Sequence, residues 1–144
     1  MISSRSQRGF TLIELLVVLA LIGISAAAVQ LSLPEPGARA LLKEGNRLAA
    51  LLDVARAHSR STNTPIMWRS TTLGFEFVGD VSATFPTDWL EVGIQTDARV
   101  GVLLGPEALI PAQSIELRIS GNPRAQVVVL TDGLGPFRAR LQQD

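Results

Sequence analysis

The side chains of this 144-residue chain that could do covalent chemistry are few and poorly spaced for it. His58 is the only histidine, and the groups that could complete a nucleophilic relay with it are Ser59, Ser61 and Asp53. Adjacent residues on a helix point apart, and Asp53 falls outside the three- and four-residue spacings that bring helical side chains together. His58 therefore reads as an edge-of-core or solvated side chain. The absence of cysteine excludes disulfides, thiolate metal sites and an acylated cysteine anchor. Asp132 and Asp144 are too few and too far apart in sequence to build an oxygen cage for calcium, and no glycine pattern suits a phosphate cradle. The expectation is a protein that is not an enzyme and that carries no metal and no cofactor.

One carboxylate stands out for its surroundings. In "QRGFTLIELLVVLALIGI", residues 7–24, Glu14 lies inside a run that otherwise belongs in hydrocarbon. A carboxylate at a bilayer centre costs roughly 2.5–3.5 kcal/mol on insertion scales, so a role must offset that cost. From Phe10 to Leu33 Glu14 is the only charge, and a helix of that length reaches about 36 Å, enough to span a hydrocarbon core. Arg5 and Arg8 precede it without an acid, which places the head on the cytoplasmic side and the bulk of the chain beyond the membrane. A general secretory signal peptide with "SAAA" at 25–28 as its cleavage site is the alternative. The acid speaks against it, because a signal peptide gains nothing from one.

The stretch "RGFTLIELLVVLALIG" resembles the type III signal of type IV pilins and type II secretion pseudopilins. That resemblance implies a leader peptide over residues 1–9, cut by a prepilin peptidase between Gly9 and Phe10, with N-methylation at Phe10. Residues 10–33 then form a transmembrane and assembly helix, and 34–144 a periplasmic domain. Cleavage creates an ammonium at Phe10, one turn from Glu14. Between subunits, Glu14 of an arriving chain can pair with the Phe10 amine of a neighbour, and a paired charge in lipid is far less costly than a lone one. Glu14 and Phe10 are thus the expected assembly residues.

The elements that follow are legible from their periods. Prolines in "SLPEPG" break the first helix. An amphipathic helix over about 38–62 carries Leu41, Leu48, Leu51, Leu52 and Ala55 on one stripe, with Lys43, Glu44, Asn46, Arg47, Asp53 and Arg56 mostly off it. From 65 to 144 the pattern alternates. "PIMWRS" and "TTLGFEFVG" suggest a hairpin with Leu73, Phe75 and Phe77 on one face. "ARVGVLL", "SIELRIS", "AQVVVLT" and "PFRARL" are further strand candidates, separated by turn signals. Trp68 and Trp89 read as core or interface anchors rather than a ligand-stacking pair. The expected class is α+β in the pilin fold: a long amino-terminal helix, transmembrane in its first half, packed on an antiparallel β-sheet domain.

Within that class, "LLDVARAHS", "NTPIMWRS…LGFEF" and "VVVLTDGLGPFRARL" resemble the H-type minor pseudopilins (GspH). The resemblance implies a single-pass bacterial inner-membrane protein near the tip of a periplasmic pseudopilus. That fibre drives export of folded proteins through the outer-membrane secretin. The implied partners are the I, J and K tip subunits, the G major subunit, the prepilin peptidase and the inner-membrane assembly platform. The alternative is a FimT-like minor type IV pilin acting in pilus assembly or DNA uptake. Arg138 and Arg140 share a strand face, with Arg124 in a nearby turn, and these three would be the phosphate contacts. The charges of residues 37–144 balance and no aromatic joins that face, so a nucleic-acid partner is not expected. The mixed segment 80–97 is a candidate partner surface or a plain connection.

Overall fold

A computed structural model of the chain describes residues 11–31, 36–79, 85–96 and 101–142. Two compact units divide it, Met1–Pro34 and Glu35–Asp144.

The first unit contains α1, Leu12–Leu31. Thr11 starts it: its hydroxyl and its carbonyl both accept from the Glu14 N–H, at 3.4 and 3.1 Å. With Glu14 three residues on, this is the sequence pattern of a capping box. The side chains described from Leu12 to Ala27 are exposed on every face of the helix. The one hydroxyl in the later turns, Ser25, donates back to the Leu21 carbonyl at 2.8 Å. Among the described residues no helix is long and apolar enough to cross a membrane. The side chains described in α1 cover about 24 Å of helix, and the expected span over 10–33 has both its ends outside the described residues.

The second unit opens with α2, Pro36–Thr62. Proline fits the first helical position because no intrahelical partner awaits its missing N–H. Leu41, Leu48, Leu52 and Ala55 are fully or almost fully buried along one stripe. The helix ends in a Schellman arrangement: Asn63 takes a positive φ of 54° and the Thr64 N–H reaches back to the Ser59 carbonyl at 3.2 Å.

Two antiparallel sheets follow. One is ordered β2-β1-β4, from β1 (Ile66–Ser70), β2 (Phe75–Gly79) and β4 (Gly101–Leu103). The other is ordered β3-β5-β6-β7, from β3 (Ile94–Thr96), β5 (Gln113–Ile119), β6 (Asn122–Thr131) and β7 (Arg138–Gln142). The sheets meet at the side chain of Gln113. Its amide donates to the Leu103 carbonyl and accepts from the Leu103 N–H, both at 2.9 Å, as a neighbouring strand would.

Helix α2 lies against β6 and β7. A Cβ added at Gly45 would sit 2.6 Å from Val127 Cγ1 and 3.1 Å from Ala139 Cβ, so glycine there sets how closely helix and sheet approach. Ile115, Leu117, Val127 and Val129 fill the inner face of the larger sheet. Trp68, Phe75 and Phe137 are the buried aromatics of the core, and half-buried Trp89 packs on Phe75 with ring centroids 4.6 Å apart.

The α+β class is as expected, with an antiparallel sheet under a helix. Several details differ from the sequence reading. Leu73 is not on the Phe75 face; it is 89% exposed in the turn before β2. Glu44 and Arg56, expected off the buried stripe, are 2% and 6% exposed. Arg124 lies in β6, not in a turn. Segment 80–97 contains β3, which pairs with β5 from Ile94↔Ile119 to Thr96↔Leu117.

Candidate functional site

Of the residues that the sequence singles out at the amino terminus, Gly9 and Phe10 lie outside the described residues. Glu14 is exposed in the first turn of α1. A carboxylate there faces the positive end of the helix dipole and the unpaired N–H groups of the first turn. A new cationic amine immediately before the helix would add to that field. Chemically, the position suits pairing with a cation and has no acid or base partner among the described residues.

The alternative arginine site is partly assembled. Along β6 the residues alternate, with Ala125, Val127 and Val129 buried and Arg124 exposed on the opposite face. In register, Leu130 faces Arg138 and Val128 faces Arg140, so Arg124, Arg138 and Arg140 belong to one outer face of the larger sheet. Sequence reasoning missed a fourth member, Arg118, which pairs with Gln126 across β5 and β6. Its signal was present, since Arg118 alternates with the apolar residues of "SIELRIS". Arg118 is held by Glu116 at 3.2 Å, and Gln126 donates to the same carboxylate oxygen at 2.9 Å.

Asp132, at the end of β6, accepts from the N–H groups of Gly135 at 2.7 Å and Leu134 at 2.9 Å. Those two bonds hold its carboxyl below the usual value, helped by the charge of Arg138. The bonds fix the β6–β7 turn beside the arginines.

The candidate relay is dispersed. Asp53 accepts from the Phe137 N–H at 3.1 Å, Ser59 donates to the Thr64 carbonyl at 2.6 Å, and Ser61 donates to the His58 carbonyl at 2.9 Å. Among the described residues no three His, Cys, Asp or Glu side chains converge as metal ligands do.

Two buried charges were not read as functional. Glu44 pairs with Arg47, which also donates to the Asp88 carbonyl at 3.1 Å. Arg56 donates to the carbonyls of Gly133 at 2.7 Å, Gly135 at 3.0 Å and Ala108 at 3.2 Å. Both arginines thus tie α2 to distant loops, for which no local sequence signal exists.

Comparison with known proteins bears on the amino terminus. The family described as the prokaryotic N-terminal methylation motif matches residues 4–29. No curated protein and no solved structure matches the chain. The matched stretch contains Gly9, Phe10 and Glu14. A prepilin-type motif of this kind supports a type IV pilin-like protein, and implies processing by a prepilin peptidase and assembly with other pilin-like subunits. The motif is typical of membrane-anchored pilins.

Proposed function

We propose that the chain is a minor pseudopilin of a type II secretion system, of the H-type. It is made with a leader over 1–9, cut between Gly9 and Phe10, and N-methylated at Phe10. Residues 10–33 anchor it in the bacterial inner membrane, with 34–144 in the periplasm. Glu14 in the first helical turn, four residues after Phe10 and inside the matched motif, carries the pilin-like part of this reading, and the H-type part rests on the resemblance of "LLDVARAHS", "NTPIMWRS…LGFEF" and "VVVLTDGLGPFRARL".

The mechanism is electrostatic. Once the leader is removed, the Phe10 ammonium and the Glu14 carboxylate both face hydrocarbon, where each alone is costly. An incoming subunit whose Glu14 meets a neighbour's Phe10 amine removes both penalties in one axial register. Addition is therefore stepwise and ordered. The globular unit contributes surfaces rather than chemistry; its partners are the tip and major pseudopilins and the assembly platform.

A FimT-like minor pilin is the second reading, favoured by the outer face that carries Arg118, Arg124, Arg138 and Arg140. Among the described residues neither Arg124 nor Arg140 makes an ion pair. A deletion strain separates the two readings, with extracellular enzyme activity and DNA uptake assayed in parallel. Lost secretion with intact uptake supports the pseudopilin; intact secretion with lost uptake supports the type IV pilin and makes Arg138 and Arg140 the residues to mutate next.

A further inference from the structure

Among the described residues the two sheets have four edge strands, β2, β4, β3 and β7, and three of them are short or already engaged. On β4, Leu103 meets the Gln113 amide. At the start of β2 the Phe75 N–H donates to the Thr87 carbonyl at 2.8 Å, and Gly74 bridges to Asp88. Strand β3 is only three residues long. The remaining edge is β7, five residues paired with β6 on one side and with no described strand on the other. Every second residue of such a strand turns its N–H and C=O away from the sheet, where an added chain can bond them.

The two faces of that edge differ. Ala139 and Leu141 pack inward against the core, whereas Arg138, Arg140 and Gln142 are exposed on the outer face. Among the described residues neither arginine makes an ion pair. Beside them lies a hollow of about 260 Å³, lined by both arginines together with Leu130, Thr131 and Asp132. Its one acid, Asp132, is already held by the N–H groups of Leu134 and Gly135. Two guanidinium groups at alternate positions, next to unpaired backbone, suit carboxylates spaced two residues apart on an extended chain.

A second copy of this chain cannot supply those carboxylates. Its thirteen acids include no two separated by a single residue. Two β7 strands paired about Arg140 would also set that arginine opposite itself, which is destabilising. A nucleic acid would use the guanidinium groups but not the strand's N–H and C=O groups, and Glu116 on the same outer face would repel its phosphates.

We propose that β7 is a docking edge for a different polypeptide, which adds there as an extended strand with acidic side chains at two alternate positions. Its backbone pairs with β7 and its carboxylates meet Arg138 and Arg140. Its intervening side chains turn to the inner face, where small apolar residues fit beside Ala139 and Leu141. The docking uses only the globular unit and no part of the amino-terminal motif.

Hydrogen exchange on the full-length chain in detergent micelles tests this, with a peptide of about eight residues that alternates glutamate with valine. The expected result is saturable binding that slows exchange of the outward β7 amides about tenfold. Glutamine in place of each glutamate should weaken binding about fivefold, and a central proline should abolish the protection. Exchanging the charges with Arg138→Glu and Arg140→Glu together should turn the preference to a peptide alternating lysine with valine. The peptide-side changes leave the chain intact and decide the matter even where that variant fails to fold. No binding, binding without β7 protection, or equal binding of the glutamate and glutamine peptides would overturn the proposal. So would a single-stranded oligonucleotide that binds more tightly than the glutamate peptide and weakens on Arg138→Gln, a result that supports the second reading above.

Discussion

Arg56 Nη2 donates to the carbonyl of Gly133, seventy-seven residues further along the chain, at 2.7 Å. The guanidinium reaches Gly135 and Ala108 as well, so one side chain joins the last third of α2 to two loops. Arg56→Met keeps the stem and leaves three carbonyls without that donor. Hydrogen bonds from charged donors contribute about 1.5–3 kcal/mol each, and the loops relax in part, so a net loss of roughly 3 kcal/mol is expected. Arg56→Lys should restore little of it, because an ammonium lacks the planar fork. Urea unfolding of the detergent-solubilised chain measures both; equal stability of Arg56→Met and the parent would contradict this role.

Gly45 sits where α2 comes closest to β6 and β7. Alanine is the better helix former by about 1 kcal/mol. Its methyl would meet Val127 Cγ1 at 2.6 Å, however, and overpacking costs about 1–3 kcal/mol. Gly45→Ala is therefore expected to destabilise by about 1 kcal/mol and Gly45→Val by more. A rise in the urea midpoint of Gly45→Ala would show that the sheet can move away.

Glu14→Ala removes the carboxylate proposed to meet a neighbour's Phe10 amine. Cleavage after Gly9 should continue, since the leader and the cut bond are untouched. Incorporation into fibres should fall by at least tenfold, the minimum for losing a pairing that offsets several kcal/mol in lipid. Gly9→Val should do the reverse: block cleavage first and assembly as a consequence. Sheared-fibre recovery and amino-terminal mass spectra separate the two. Normal assembly of cleaved Glu14→Ala would rule out the pairing.

Asp132 gives a pH dependence whose sign is fixed. Its folded pKa lies below the ordinary 3.8 because the Gly135 and Leu134 N–H groups favour the carboxylate. A depressed folded value means that its contribution is complete above the unfolded pKa and is lost as pH falls from 3.8 through the folded value. Amide resonances of Leu134 and Gly135 should report that transition below pH 3.8, and in Asp132→Asn it should be absent. A midpoint at or above 3.8 would refute the assignment.

The parts of the fold that the sequence made legible are those with a local period. The α2 stripe through Leu41, Leu48, Leu52 and Ala55 repeats every three to four residues, and "AQVVVLT" and "SIELRIS" alternate within themselves. Residues whose partners are remote were illegible. Nothing near Arg56 announces carbonyls from loops beyond residue 100, and nothing near Glu44 announces its burial, because a helix covered by loops as well as a sheet hides more than one stripe. β3 is three residues long, too short for alternation to register. Leu73 fits the alternation of β2 by residue type but stands in the turn before it, where alternation no longer sets which way a side chain faces. At the candidate site, the motif was read from residue types at fixed spacing, whereas Arg118 joins the other arginines only through the β5–β6 register.

Gln113 decides what the outer edge of the smaller sheet can pair with. An edge strand is open to recruitment by any extended chain that can match its backbone groups. At β4 the outward N–H and C=O of Leu103 are already engaged by the Gln113 amide, so that edge offers no template at this residue. One of the shortest strands is thereby guarded, at this residue, against pairing with a foreign strand. An extended chain recruited at Leu103 would first have to displace a side chain of the protein's own larger sheet.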